Sequence, residues 1–233
     1  DSNVLEINRR LIVTATDFRR FIESYLQKGF SFISDADLTR ESKEDKKYAL
    51  ITLDDGYYNN HLALPVLEEY KIPAVFFIST AYVLEGKSFW WDVLSRERKK
   101  NGVPAEKIAS ERQMLKNKKN DDIEKYIINE FGKEAFRPKS DIDRPFTAAE
   151  LCDFSKSALV YVGNHTHNHA ILTNYTSAGI TEEIGMGQRN LYNITKKIPV
   201  SFAYPNGNYS KEVVSEIKKA GFKFGFTACP KLN

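Results

Sequence analysis

The chain has 233 residues, 42% hydrophobic and 28% charged, which suits one folded domain with a substantial core and argues against disorder. Thirty-four basic side chains against 31 acidic ones leave a net charge of +3. No basic stripe stands out, since Lys116, Lys118 and Lys119 run directly into Asp121 and Asp122, so the footprint of a nucleic-acid binder is missing. No apolar run is long enough to span a bilayer.

The first element is a helix carrying Phe18, Phe21, Ile22, Tyr25 and Leu26 at helical spacing, with Thr16 as its expected N-cap and Gly29 as its stop. A short strand follows at Phe30–Ile33. Lys47–Leu53 is apolar and partly β-branched, the pattern of a buried strand, and it ends abruptly at Asp54-Asp55-Gly56. Asn59–Tyr70 reads as a helix, and Pro73 separates it from a second buried strand, Ala74–Ile78.

From roughly residue 84 to 144 the texture changes. This stretch is charged, contains Trp90 and Trp91, and shows helical patterns at Val93–Lys100, Ala105–Leu115 and Ile123–Phe131. It is expected to be a helical insertion in a single domain spanning 1–233. Thr147 to Glu150 has capping-box spacing and should open the next helix.

A strand at Leu159–Gly163 runs into a histidine cluster. A helix is expected over Ser177–Lys197, against the resistance of Gly179, Gly185 and Gly187. A strand at Val200–Tyr204 leads into Pro205-Asn206-Gly207, Ser210 can cap a helix through Ala220, and Phe224–Thr227 is the last strand. Strands alternating with helices predict a parallel α/β architecture. Cys152 and Cys229 lack metal-type spacing and can pair only if the fold joins them. The chain begins at Asp1 without Met or a signal pattern, as expected of a processed or trimmed form, in the cytoplasm or the cell envelope.

Three motifs carry chemistry. Adjacent carboxylates on a strand point to opposite faces, but at a strand end a turn can aim Asp54 and Asp55 into one cavity, with Gly56 permitting the backbone this needs. Two like charges held together call for a cation or hydrogen bonds. Alone, Asp-Asp-Gly also fits a solvated turn. His165-Thr166-His167-Asn168-His169 is sharper: three of four histidines lie in five residues, and positions 165 and 169 share a face on a helical turn. Thr166 stands where zinc proteases of this spacing carry their glutamate base. One of Asp54 and Asp55 can complete an Asp-His-His ligand set while the other takes a proton from water. His167 alternates with the ligands and is expected to face solvent. Tyr204-Pro205-Asn206-Gly207 is an ordinary turn by itself, but all three motifs follow strands, the rim where parallel sheets assemble active sites.

These motifs resemble those of the polysaccharide deacetylases of the NodB-homology type, carbohydrate esterase family 4. Thr52-Leu53-Asp54-Asp55-Gly56 matches the first family motif, T-F-D-D-G, with Leu for Phe. His165 to His169 matches H-[ST]-x-x-H in full, and Ala203-Tyr204-Pro205-Asn206 is similar to R-x-P-Y. The likeness extends to Leu64–Leu67, Ile72–Ile78 and Ala220–Phe222, and the Trp90-Trp91-Asp92 insertion resembles a subgroup linked to bacterial surface glycans. The resemblance implies a distorted (β/α) barrel of about seven strands. It implies Asp54 as general base, Asp55, His165 and His169 as metal ligands, and a backbone N–H near Asn206 for the oxyanion. Zinc is the implied ion, with cobalt, manganese and nickel compatible, and an acetylated glycan rich in N-acetylhexosamine is the implied substrate. Two departures stand out. Ala203 replaces an arginine that orients the base in many members, and the C-terminal L-x-H motif with its acid histidine is absent from these residues. His61 could substitute for that histidine only if the fold brought it close.

Two other classes compete with metal-dependent deacetylation. A non-catalytic carbohydrate-binding protein on a degenerate scaffold would account for both departures. A non-haem iron oxygenase would use the same two-His-one-carboxylate set but gives Asp54 no work. Trp90, Trp91 and Tyr82 either stack on sugar rings at a cleft edge or pack the insertion against the scaffold.

Overall fold

Hydrogen bonding links strands into an all-parallel series that bends round on itself. The computed structural model describes residues 13–39 and 45–228. Helix α1 (Ala15–Gln27) leads to β1 (Phe30–Phe32), which pairs with β2 (Lys47–Ala49). After Leu50 alone, β3 (Ile51–Leu53) opens a five-stranded sheet. Its order continues through β4 (Ala74–Ile78), β5 (Val160–Asn164), β6 (Ser201–Ala203) and β7 (Phe224–Phe226), every neighbour parallel.

The curl can be read from side chains. Neighbouring strands are about 4.8 Å apart, so β4 and β7, three steps apart, would be separated by about 14 Å in a flat sheet. The rings of Phe77 and Phe226 nevertheless lie 5.3 Å apart, and Val75, Phe77 and Ala203 form an inner cluster with Leu50, Tyr161 and Phe226. Alternate residues of β4, Ala74, Phe76 and Ile78, face the opposite way, into a larger core. That core also takes residues of α1, α2 (Leu64–Tyr70) and α7 (Ala148–Phe154). All five β4 residues are buried, as a strand covered on both faces requires. This is a mixed α/β fold with the curled sheet of a distorted (β/α) barrel.

A second core joins β6 to α8 (Ser177–Thr195) and α9 (Lys211–Lys219). Between β4 and β5 the chain adds α3 (Thr80–Glu85), α4 (Trp90–Lys100), α5 (Ala105–Leu115) and α6 (Asn120–Phe131). Trp90, Val93, Leu94, Leu115, Ile123 and Ile127 give this helical segment a cluster of its own.

Local signals mostly hold, with informative exceptions. Thr147 accepts from Glu150 N while Glu150 reaches back to Thr147 N, the expected capping box, and Ser210 caps α9. The N-cap of α1 is Thr14 rather than Thr16: its Oγ1 accepts from Asp17 N at 3.0 Å. Lys47–Leu53 is not one buried strand. It changes partner at Leu50, from β1 to β4, and only Ile51 is buried. Asn59–Tyr70 begins as a 3-10 turn (Tyr58–Ala63), with α-helix starting at Leu64 beside Pro65. Cys229 lies outside the described residues. Among the described residues no helix is long and apolar enough to cross a membrane.

Candidate metal centre

Two loops at strand ends build the centre. After β3 the backbone turns sharply, with Asp55 at φ 76° and Gly56 at φ 90°. A non-glycine residue in this region is held at a cost of about 1 kcal/mol, so neighbours must enforce it. They do: Asp55 O accepts from Ser79 N (3.1 Å), just past β4, and Gly56 O accepts from Phe146 N (3.0 Å).

The histidine loop leaves β5 and is not helical. Thr166 and His169 both have positive φ, 65° and 53°, so the shared face comes from a contorted loop rather than a helical turn. Asn164 Oδ1 accepts from Thr166 N (2.8 Å), Thr166 Oγ1 accepts from Ala170 N (2.7 Å), and Ile78 O accepts from His165 N (3.1 Å). From α8, the buried Glu183 carboxylate accepts from His167 N, Asn168 N and Asn168 Nδ2. Glu183 carries no local sequence signal, being one of two adjacent glutamates in a long helix. Gly187 lets α8 approach this loop: a Cβ there would come 2.7 Å from Asn164 Oδ1 and 3.1 Å from the Thr166 carbonyl carbon.

Asp55, His165 and His169 are thereby brought together. Asp55 Oδ1 lies 3.5 Å from His165 Nε2 and 3.2 Å from His169 Nε2. Ligand atoms about 2.05 Å from a tetrahedral zinc stand about 3.3 Å apart, so the donor set fits such an ion in type and spacing. His165 Nδ1 donates to Ala203 O (2.8 Å), which leaves the Nε2 lone pair for a ligand. Burial would raise the Asp55 carboxyl, but hydrogen bonds from both histidines hold it far below the ordinary range. Burial pushes His165 down, yet the Asp55 hydrogen bond and the Asp54 charge outweigh it, and the net shift is upward. At His169 burial wins and the shift is downward. The pocket therefore holds one strongly acidic carboxylate against two imidazoles of unequal basicity.

Asp54 is exposed beside this group. The protein crowding its carboxyl raises it above the ordinary aspartate range, His165 opposes this, and the charge of Asp55 adds to it. Asn206 sits in the turn after β6 at φ 58°, and its Oδ1 accepts from Lys116 Nζ at 2.5 Å.

The remaining sequence expectations divide. His167 does not face solvent: its Nδ1 lies 2.8 Å from Thr80 Oγ1 and 3.3 Å from Asn190 Nδ2 in a half-buried niche. His61 donates from Nδ1 to Tyr58 O (2.7 Å) and lies against the Tyr58 ring. Trp90 and Tyr82 are core residues. Trp91 is different, with its ring centroid 4.6 Å from that of His169. Trp91 Nε1 donates to Tyr57 OH (2.8 Å), which donates to Asp92 Oδ2 (2.5 Å), and burial lifts the Asp92 carboxyl to about 6. Tyr57, Trp91 and Asp92 thus wall the His169 side of the centre. The aromatic pair in the sequence hints at Trp91; nothing local hints at its link to Tyr57.

A family model described as polysaccharide deacetylase matches residues 41–131 and 142–225. Among solved structures, IcaB from Ammonifex degensii is similar at 19% identity, covering 95% of this chain and 78% of that one, with a TM-score of 0.63. The Streptococcus pyogenes deacetylase PplD, in complex with acetate, is similar at 16% identity over 91% and 71% of the two chains (TM-score 0.59). A polysaccharide deacetylase from Bacillus cereus is similar at 20% identity, and this chain spans about half its length, with 93% and 51% covered (TM-score 0.59). These likenesses show a common fold. No curated protein sequence matches the chain.

Proposed function

The chain belongs to the polysaccharide deacetylase family and is a carbohydrate deacetylase; on that premise we propose that it hydrolyses acetyl groups with the help of a divalent ion held by Asp55, His165 and His169. The convergence of one carboxylate and two imidazole nitrogens at tetrahedral ligand spacing carries this reading. Zinc is the ion these ligands favour, with cobalt, manganese and nickel also compatible. Such an ion supplies Lewis acidity, lowering the pKa of water and polarising a carbonyl oxygen.

The chain's own groups do the rest. Asp54 is the general base: it is exposed to the cleft, sits next to a ligand in sequence, and makes no ion pair that would tie it up among the described residues. It takes a proton from the attacking water as the carbon–oxygen bond forms at the acetyl carbon. The backbone N–H at Asn206 stabilises the developing oxyanion. The bond from the acetyl carbon to the sugar nitrogen or oxygen then breaks, the proton taken by Asp54 passes to that leaving atom, and acetate and the freed amine or hydroxyl are the products. The Ala203 carbonyl and the Glu183 carboxylate keep the histidine loop in place throughout. An N-acetylhexosamine-containing bacterial glycan is the proposed substrate.

Elemental mass spectrometry on the purified protein and on His165→Ala tests the metal site. Near-stoichiometric zinc or a similar ion, lost in the variant, is expected. Acetate release from acetylated glycans should fall at least a hundredfold in Asp54→Asn, as expected for loss of a general base. Full activity in that variant would refute the assigned base, and no metal in either protein after zinc incubation would refute the ligand set.

A further inference from the structure

Two cations that make no ion pair among the described residues lie at the end of α5, near the turn that follows β6. Arg112 and Lys116 are one turn apart at the end of α5, and both are half-buried. The other half-buried arginines face carboxylates: Arg19 faces Glu69, Arg96 faces Asp143, Arg98 faces Glu111, and Arg144 faces Glu150. Arg112 and Lys116 make no ion pair among the described residues, although the charge of Arg112 is felt at Asp92. Arg112 donates only to the Ser95 hydroxyl, and its Nε is buried with no hydrogen-bond partner. Lys116 Nζ donates only to the neutral side chain of Asn206. Burial lowers Lys116 below the ordinary lysine value, and the charge of Arg112 lowers it further.

Their placement is built rather than incidental. The Lys116 and Lys118 carbonyls both accept from Asn174 Nδ2 (2.9 and 3.1 Å), and Tyr175 OH accepts from Asn120 N (2.8 Å). The end of α5 is therefore tied to the chain just beyond the histidine loop. Lys116 reaches the β6 turn, three residues after the carbonyl that orients His165. The charge of Arg112 is felt at Asp92, whose partner Tyr57 holds Trp91 against His169. A desolvated cation pair without an anion is costly in an empty cleft and favourable in one that receives an anion.

We propose that Arg112 and Lys116 form an anion subsite, and that the preferred substrate is an acetylated sugar bearing a carboxylate or phosphate ester beside the acetyl group. This rests on the deacetylase reading and names the substrate class for the same cleft. The groups are suited to either oxyanion: a guanidinium gives directed hydrogen bonds, and an ammonium adds a point charge.

Calorimetric binding of matched probes tests it, with acetate release followed in parallel. The pairs are tetra-N-acetylchitotetraose against hyaluronan tetrasaccharide for carboxylate, and N-acetylglucosamine against its 6-phosphate for phosphate. The wild type should bind at least one charged probe about tenfold more tightly than its neutral partner, a preference that shrinks with added salt. Lys116→Gln and Arg112→Gln should each erase most of that preference, while Lys116→Arg keeps it. A purely structural role would weaken charged and neutral probes alike. No preference for either anion in the wild type, or a preference unaffected by both variants, overturns the subsite. Charged binding that depends on Lys116 without acetate release supports the subsite and counts against the deacetylase reading instead. Which charged probe is preferred distinguishes a uronic acid from a phosphorylated sugar.

Discussion

Replacing Gly187 with alanine sets a helix preference against a steric cost. Gly187 lies within α8, where alanine is favoured over glycine by about 1 kcal/mol. The new Cβ, however, would meet Asn164 Oδ1 at 2.7 Å, Asn164 Nδ2 at 3.0 Å and the Thr166 carbonyl carbon at 3.1 Å. Asn164 cannot swing aside freely, because its amide accepts from Thr166 N and donates to Ile184 O (3.1 Å). Losing those two hydrogen bonds would cost about 1 kcal/mol each, and overpacking of this kind costs about 1–3 kcal/mol. The steric term wins, and Gly187→Ala should destabilise the fold by about 1–2 kcal/mol net. Because the displaced atoms belong to the two residues that flank His165 in its loop, zinc affinity should also fall, by about tenfold or more. Gly185→Ala is the control: its Cβ meets only the Arg189 guanidinium, at 3.2 Å, so it should stabilise by up to about 1 kcal/mol. Urea denaturation and zinc titration of both variants give the comparison. If Gly187→Ala matches Gly185→Ala in stability and keeps wild-type zinc affinity, the close packing of α8 on the histidine loop is not what shapes the centre.

Asp92 titrates with a defined sign. Its carboxyl is lifted to about 6, chiefly by burial, so the folded state prefers the protonated form, and that stabilisation is present below its ordinary value and lost as pH rises through about 6. Asp92→Asn, which can still accept from Tyr57 OH, should therefore gain about 1–2 kcal/mol relative to wild type between about pH 5 and pH 8. Parallel stability profiles for the two proteins would show that Asp92 carries no such penalty. His165 is raised while its Nε2 must be unprotonated to bind an ion, so metal binding near its titration should release a proton. Zinc calorimetry at about pH 6.5 should give heats that differ between buffers of unlike ionisation enthalpy; identical heats would contradict this. Gly163→Ala would put a Cβ 2.3 Å from the ring of the fully buried Phe77, and should cost about 3 kcal/mol or more by thermal unfolding. A drop of less than about 1 kcal/mol would mean that the inner cluster is looser than the curled sheet requires.

What could be read from residues alone was local. Helix α5 was legible end to end because its periodicity depends on adjacent turns, and the caps Thr147 and Ser210 act within three residues. The residues of the candidate centre were legible because Asp55, His165 and His169 lie in short motifs that follow strands and have their own chemical logic. Their joint geometry was not. The spacing of His165 and His169 suggests a helical turn, but Glu183 from α8 and Asn164 hold the loop in positive-φ conformations that periodicity cannot foresee. The break of the Lys47–Leu53 run at Leu50 reflects a change of strand partner, a fact about neighbours rather than about those seven residues. Lys116 reads as one of several surface lysines, and only the chain's path sets it against Asn206, 90 residues away. Trp91 on His169 and Tyr57 on Asp92 are likewise tertiary. Sequence specifies turns, caps and ligand types because these act over a few bonds, whereas the walls, charge balance and desolvation of the cleft arise from segments that meet only once the sheet has curled.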